Sequence, residues 1–214
     1  MNNYWTKEAT TQDELDWVCR FRYEAFERVG DLVTNDERLL RDNYDHAPNV
    51  TSYLLHHDAT PEPIGTIRTA VHSASFGWLP TPGAQTYADA IREHLGAGTS
   101  YVESSRFAMA EIGARSLMKA HLYIFRMLAA NAIKHRCEWI ITAVSPKFVS
   151  YYQKTMNFKQ LSDERELPGF TLGKILIGSE FNAATLDFCR RVNPYFDDLV
   201  EELSAQSNAA ATSA

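Results

Sequence analysis

The chain has 214 residues, 45% of them hydrophobic and 12% aromatic, with a formal net charge of −6. That is enough for one domain with a proper core, or one domain plus an appendage. The acidic balance, with no basic run and no zinc-ligand spacing, excludes a general nucleic-acid binder, because phosphate binding is carried by Lys and Arg. Cys19, Cys137 and Cys189 are far apart and odd in number, which fits buried, reduced thiols in a cytoplasm rather than a disulfide framework. Residues Met1–Ala9 hold no apolar signal-peptide core, and no window is apolar for long enough to span a bilayer. The expectation is a soluble, cytoplasmic protein.

Thr11-Gln12-Asp13-Glu14 predicts a helix start with a capping box. Leu15, Val18, Phe26 and Val29 then recur at helical spacing, and Arg22 falls on the same stripe. An arginine facing inward needs a carboxylate partner. Residues 30–50 are polar and irregular, with Asp36, Glu37, Arg38, Arg41, Asp42 and Asp45. A loop this long inside a compact domain is more often functional than accidental. Ser52–His57 and Pro63–His72 read as a strand hairpin around the turn at Asp58–Pro63. Residues 73–98 read as loop-rich, with one short helix around Tyr87–His94.

The next strand, Ser100–Met109, carries Glu103-Ser104-Ser105-Arg106-Phe107. A buried strand rarely holds a carboxylate and a guanidinium three residues apart, because burying either is costly unless it is paired. These charges serve either a structural ion-pair network or chemistry. In a regular strand Glu103 and Arg106 point to opposite faces, so they share one cavity only if a bulge intervenes. A loop at Ala110–Ala114 leads into a long helix over Arg115–Arg136, with Leu117, His121, Ile124, Phe125 and Leu128 as its core stripe. His121 on that stripe reads as a satisfied core histidine. Cys137–Val144 is a continuous apolar strand. Pro146 opens a further helix that Asn157 is placed to end. Strands follow at Phe158–Leu161 and Phe170–Gly178. Asn182–Leu203 reads as helical with a break near Pro194, and the small polar run Ser204–Ala214 as a disordered tail. The organisation expected is a domain over residues 1–181, a helical extension over 182–203 and a tail over 204–214. This order of elements is α/β with a mixed sheet, and the long helix makes a right-handed crossover between parallel strands.

That order resembles the GNAT acyltransferase superfamily, and Ser150–Phe158 is similar to its F-Y-x-x-x-G-F ending, with Asn157 in place of glycine. The charged residues resemble one branch of it, the LuxI-type autoinducer synthases and the FeeM-like N-acyl amino acid synthases. The R-x-x-x-F of that branch reads here Arg22-Tyr23-Glu24-Ala25-Phe26, and its D-x-x-D reads Asp42-Asn43-Tyr44-Asp45. Its glycine followed by arginine on the hairpin reads Gly65-Thr66-Ile67-Arg68, and its E-x-S-R-F is residues 103–107. The tryptophan that autoinducer synthases carry after the first-helix phenylalanine is missing from Arg28-Val29-Gly30-Asp31-Leu32. The chain therefore resembles the N-acyl amino acid synthases more. The loop Glu111–Ser116 also lacks the glycine-rich pyrophosphate cradle of ordinary GNAT enzymes, which fits a donor held through an acyl carrier protein, with coenzyme A left open.

The resemblance implies aminolysis of an acyl thioester, with a fatty acyl group passing to the amine of an amino acid and no tightly bound cofactor or metal. Glu103 is the candidate base, acting through water. Backbone N–H groups around Arg106–Ala108, exposed by a splay or bulge, are the candidate oxyanion site. Glu103, Arg106 and Phe107 form the candidate catalytic set, with Arg106 positioning an acceptor carboxylate or a polar part of the acyl chain. Arg22, Phe26, Asp42, Asp45, Arg68 and Ser105 form the candidate substrate-binding set. Within it Arg22, Asp42, Asp45 and Arg68 read as a charge-balanced network ordering the loop, or with Arg22 or Arg68 holding the acceptor carboxylate. Arg115 and Lys119, one turn apart at a helix start, are the candidate docking pair for an acidic carrier protein. Ser104 and Ser105 read as packing and hydrogen-bonding residues. Phe107, Tyr151, Tyr152 and Phe158 read as core, with part of them lining an acyl tunnel. Lactone synthesis and a non-catalytic acyl-binding module remain as alternatives.

Overall fold

A computed structural model describes residues 3–111 and 114–196, the side chains of Ala114 and Arg115 excepted. The capping box forms as the sequence predicts. The Thr11 hydroxyl accepts from the Glu14 amide at 3.3 Å, the Glu14 carboxylate accepts from the Thr11 amide at 3.0 Å, and α1 (Gln12–Arg28) starts there. The hairpin is β2 (Val50–His57) with β3 (Gly65–His72). Ahead of it β1 (Tyr4–Glu8) pairs along β2 at the sheet edge. This strand is short and half polar, so it carries no apolar run to announce it, and only the pairing with β2 defines it. Residues 73–98 hold more structure than expected: a 3₁₀ turn at Ala74–Phe76, then α2 (Pro82–Thr86) and α3 (Ala88–Leu95). The Thr81 hydroxyl accepts from Ala84 N at 3.2 Å and Pro82 opens the first turn, a start signal packed into five residues.

Next come β4 (Tyr101–Met109), α4 (Ala114–His135) and β5 (Trp139–Val144). A 3₁₀ turn at Pro146–Phe148 leads into α5 (Val149–Met156), which ends at Asn157 with φ 55°. The chain closes with β6 (Lys159–Gln160), β7 (Ile175–Glu180) and α6 (Ala183–Val192). The strand expected from Phe170 begins only at Ile175. Residues 166–173 instead form an excursion, turned at Gly169 with φ 86° and closed by a bridge between Arg165 and Lys174.

The sheet order is β1-β2-β3-β4-β5-β7-β6, parallel between β4 and β5 and antiparallel at every other pair. One face packs on α4, α5 and the segment after β7. There Ile124, Leu128, Tyr152, Met156, Cys189 and Phe196 meet Val71, Val102, Ile140 and Ile177. Asn193 Nδ2 also donates to the Leu122 carbonyl at 2.8 Å. The other face carries α3, with Tyr87, Ala90 and Leu95 against Tyr101, Ile141 and Leu176, and α1, whose Tyr23 packs with Leu32 and Leu40. The helix expected over 182–203 ends at Val192; residues 197–203 and the expected tail lie outside the described residues. All three cysteines are buried and free. Among the described residues no helix is long and apolar enough to cross a membrane.

Among the described residues the sheet opens between β4 and β5. Pairing of β4 with β5 stops at Ser104 opposite Thr142, while β4 runs on to Met109. Beyond Ser104 its backbone groups on that side meet no strand among the described residues. A cavity of about 690 Å³ fills this gap.

Candidate active site

The cavity wall draws on both faces of the sheet. Glu103, Arg68, Arg106 and Phe26 come from the α1 side, Phe107, His121 and Tyr152 from the α4 side. A bulge in β4 sorts them. Thr66 faces Ala108 and Arg68 faces Ser105, so Ile67 alone stands opposite two residues, Arg106 and Phe107. Arg106 takes up the extra residue with φ 56°. A non-glycine residue held there carries on the order of 1–3 kcal/mol of strain. The bulge turns Arg106 onto the face of Glu103 and Ser105, where its Nη2 donates to Asp42 Oδ2 at 3.0 Å. Phe107 goes to the opposite face and stacks on His121, with ring centroids 4.5 Å apart. The condition under which Glu103 and Arg106 share one cavity is thus met.

Glu103 is buried. Its Oε2 accepts from the Thr81 hydroxyl and lies 3.1 Å from His72 Nε2, whose ring stacks on Tyr101 at 4.4 Å. Its Oε1 rests against Gly83, where any Cβ would collide with it. Thr81, which caps α2, so ties the helix start to the carboxylate.

The sequence-predicted ion pairs assemble into one buried cluster. Arg22 Nη1 donates to Asp45 Oδ1 at 3.1 Å and its Nη2 to Ser52 Oγ at 2.9 Å. Arg68 Nη1 donates to Asp42 Oδ1 at 2.8 Å and Asp45 Oδ1 at 3.0 Å, and its Nε to Ser105 Oγ at 3.1 Å. Asp45 Oδ2 closes the loop by accepting from Asp42 N at 2.9 Å. Burial pushes Arg22 down to about 10 against the pull of Asp45. Burial works against the Asp45 carboxylate, yet Arg22 and Arg68 beside it hold its pKa below the usual value. The set read as charge-balanced is not balanced once Arg106 joins it, because three guanidiniums now meet two carboxylates. Burial, then Arg68, pushes Arg106 below its ordinary range, and its Nη1 is buried with no partner among the described residues. Of the cluster, Arg68 and Arg106 reach the cavity wall; Arg22, Asp42 and Asp45 stand behind it.

Phe26 lines the cavity and meets Phe170 edge-on at 5.1 Å. Phe170 comes from the excursion before β7, which docks on the end of α1. Lys174 Nζ donates to both oxygens of Asp31 at 2.8 Å, and Thr171 Oγ1 donates to the Gly30 carbonyl at 2.7 Å. At the open end of the gap Val29, Leu117, Phe148 and Leu172 are exposed apolar residues. Lys119 is exposed on α4 and does not reach the cavity, and the side chain of Arg115 lies outside the described residues. Among the described residues no cluster of His, Cys, Asp or Glu could hold a metal ion.

The family model described as "N-acyl amino acid synthase FeeM" matches residues 18–178. The chain belongs to this family. It is an N-acyltransferase. The solved structure of FeeM, an N-acyl amino acid synthase from uncultured soil microbes, superposes with a TM-score of 0.67 at 18% identity, covering 83% of this chain and 89% of that one. The acyl-homoserine-lactone synthase LasI gives 0.64 at 16%, covering 87% and 94%. The CoA-dependent acyl-homoserine lactone synthase MesI gives 0.56 at 16%, covering 86% and 88%. No curated protein matches the chain. The fold is accordingly the GNAT-like mixed sheet flanked by helices.

Within this FeeM-family frame, sequence reading missed the residues that surround Glu103 and close the cavity. His72 is the last residue of a strand, and Thr81 and Gly83 sit in a segment read as loop, so nothing local points to a carboxylate 20 to 31 positions on. Thr81-Pro82 was the one available signal, as a helix start. Asp31 and Lys174 are 143 positions apart and carry no mutual signal at all.

The buried cluster gives a first prediction. Asp45→Asn removes the carboxylate shared by Arg22 and Arg68 and leaves two buried guanidiniums undercompensated. Breaking a buried pair this way costs about 3–5 kcal/mol. At roughly 2–4 °C per kcal/mol for a chain of this size, the melting temperature should fall by about 10 °C. The native carboxylate, with its folded pKa below the unfolded value, contributes stability above the ordinary carboxylate range and loses it as pH falls through the lower folded value. Asp45→Asn should therefore also flatten the acid limb of the stability curve. An unchanged melting temperature with normal acceptor affinity would contradict the structural assignment.

Proposed function

We propose that this FeeM-family protein transfers a long-chain fatty acyl group from an acyl thioester to the α-amine of an amino acid. The observation that carries the reading is the unpartnered, buried Arg106 Nη1 on the same cavity wall as Glu103. A cluster of three guanidiniums and two carboxylates calls for a further anion, and the buried Glu103 carboxylate calls for a proton donor or a cation. An α-amino acid zwitterion supplies both as substituents of one carbon. Its carboxylate would complete the cluster of three guanidiniums and two carboxylates, and its ammonium would face Glu103. Glu103 takes a proton from the ammonium through water, the freed amine attacks the thioester carbon, and as the C–S bond breaks the nitrogen's second proton passes to the departing sulfur, leaving an amide and a thiol. The backbone of β4 past Ser104, unpaired on its β5 side, offers N–H groups to the oxyanion. Ala143, Val144, Tyr152 and Leu167, on the rest of the cavity lining, give the apolar wall that an acyl chain needs.

The test is mass spectrometry of products from purified protein given acyl carrier protein or coenzyme A thioesters and a mixture of amino acids. N-acyl amino acids are the expected products. Release of methylthioadenosine from S-adenosylmethionine would mean lactone synthesis instead. Tight thioester binding with no turnover would mean a binding module.

For the donor, the proposal is an acyl carrier protein docking at Lys119 and Arg115. The support is the exposure of Lys119 near the α4 start on an otherwise acidic protein. Lys119→Glu, combined with Arg115→Glu, should raise the Michaelis constant for acyl carrier protein donors about tenfold and weaken its salt dependence. The carrier-free thioester should be unaffected. Equal effects on both donors would favour coenzyme A, which the solved relative MesI uses.

A further inference from the structure

The cavity wall holds a second buried polar atom without a partner among the described residues, Nε2 of His121. The sequence reading of a satisfied core histidine fails on this atom. The ring is sandwiched between Phe107 at 4.5 Å and Tyr151 at 4.8 Å, with Phe125 edge-on at 4.4 Å, and none of these rings offers it an in-plane hydrogen bond. Burial among these aromatics pushes its pKa down to about 3, so the ring is neutral at physiological pH. Among the described residues the titratable rings packed on it are Tyr151 and Tyr152, both pushed up by burial.

An orphaned buried nitrogen costs about 1–3 kcal/mol unless something fills its need. Water in the cavity, or a ligand group, would have to do so. A neutral imidazole pairs with a neutral polar group, in contrast to Arg106, which pairs with an anion. Position narrows the choice. His121 lies one helical turn inward from Leu117, which is exposed at the mouth of the gap, and its ring touches Phe107 in the bulge. It therefore stands between the mouth and the β4 backbone proposed for the thioester oxygen. A donor arm that leaves by the Leu117 side of the mouth passes this residue. For both carrier-protein and coenzyme A donors that arm is pantetheine, whose amides are neutral hydrogen-bonding groups.

We propose that His121 Nε2 hydrogen-bonds the pantetheine amide nearest the sulfur and so positions the donor thioester at the β4 bulge. The inference rests on the acyl-transfer reading and assigns that reaction a positioning residue on the α4 side of the sheet.

His121→Phe keeps the aromatic stack and removes the nitrogen; His121→Gln returns a hydrogen-bonding group. The donors compared are an acyl-N-acetylcysteamine, which retains this amide, and an acyl S-butyl thioester of the same chain, which has none. His121→Phe should raise the Michaelis constant for the first about 3–10-fold, the worth of one net hydrogen bond, and leave the second unchanged. His121→Gln should recover most of the loss. Should His121→Phe not fold, His121→Leu carries the same comparison. Equal Michaelis constants for wild type and His121→Phe with the amide donor would overturn the proposal. So would a change that scales with acyl length and ignores the amide, since His121 would then be part of the acyl wall. Calorimetric binding of an S-alkyl pantetheine thioether, which needs no turnover, separates the two readings. Absent turnover by wild type overturns the acyl-transfer reading alone, and equal thioether affinity in wild type and His121→Phe overturns this one.

Discussion

Glu103→Gln should lower turnover by about 10²–10³-fold, the loss expected of a general base, while the protein stays folded. Glutamine fits the same space against Gly83, and its amide oxygen still accepts from Thr81. The melting temperature should stay within a few degrees of wild type. The measurement is single-turnover transfer at saturating donor and acceptor. A near-normal rate there would remove Glu103 from the chemistry and leave it as an anchor for Thr81 and His72. His72 deserves the same assay, because its Nε2 shares the oxygen that Thr81 holds. His72→Asn should reduce turnover by far less than Glu103→Gln, since it moves the carboxylate without removing it.

The second large effect concerns the acceptor. Arg106→Gly removes the guanidinium while favouring the backbone it occupies, because glycine adopts φ near 56° without strain. It also lowers the cluster to two guanidiniums against two carboxylates, so the fold should tolerate it. The Michaelis constant for an amino acid acceptor should rise about 10²-fold, as expected when one partner of a buried charge pair is truncated. An amino acid amide, which keeps the amine and lacks the carboxylate, should show no such change. Equal losses with both acceptors would shift Arg106 from the acceptor carboxylate to handling of the donor. Arg106→Lys should rescue poorly, because a lysine ammonium cannot donate to Asp42 and a substrate carboxylate with the fork of a guanidinium.

Much of the fold is written locally. The capping box at Thr11, the hairpin around Asp58–Pro63, the long helix before Cys137 and the left-handed stop at Asn157 are set by neighbours within a few positions, and the structure has each of them. The inward arginine on α1 also announced its need for a carboxylate, and Asp45 meets it. The failures share one cause. β1 exists only by pairing with β2, and the excursion at 166–173 only by docking on Asp31, so neither has a signal of its own.

The candidate site divides along the same line. The chain by itself determined which residue types had to be reconciled, a carboxylate and a guanidinium three residues apart on a buried strand with further arginines and aspartates upstream. That follows from the energy of burying charge, which composition and periodicity expose. Only the tertiary structure decided how they are reconciled. The bulge at Arg106 and Phe107 depends on the register between β3 and β4, and it places one side chain with Glu103 and the other on His121. The excess of one guanidinium appears only when residues 22, 42, 45, 68 and 106 are brought together. The unpartnered nitrogens of Arg106 and His121 are likewise properties of packing, since a sequence states which donors exist and only the assembled core states which of them remain unpaired.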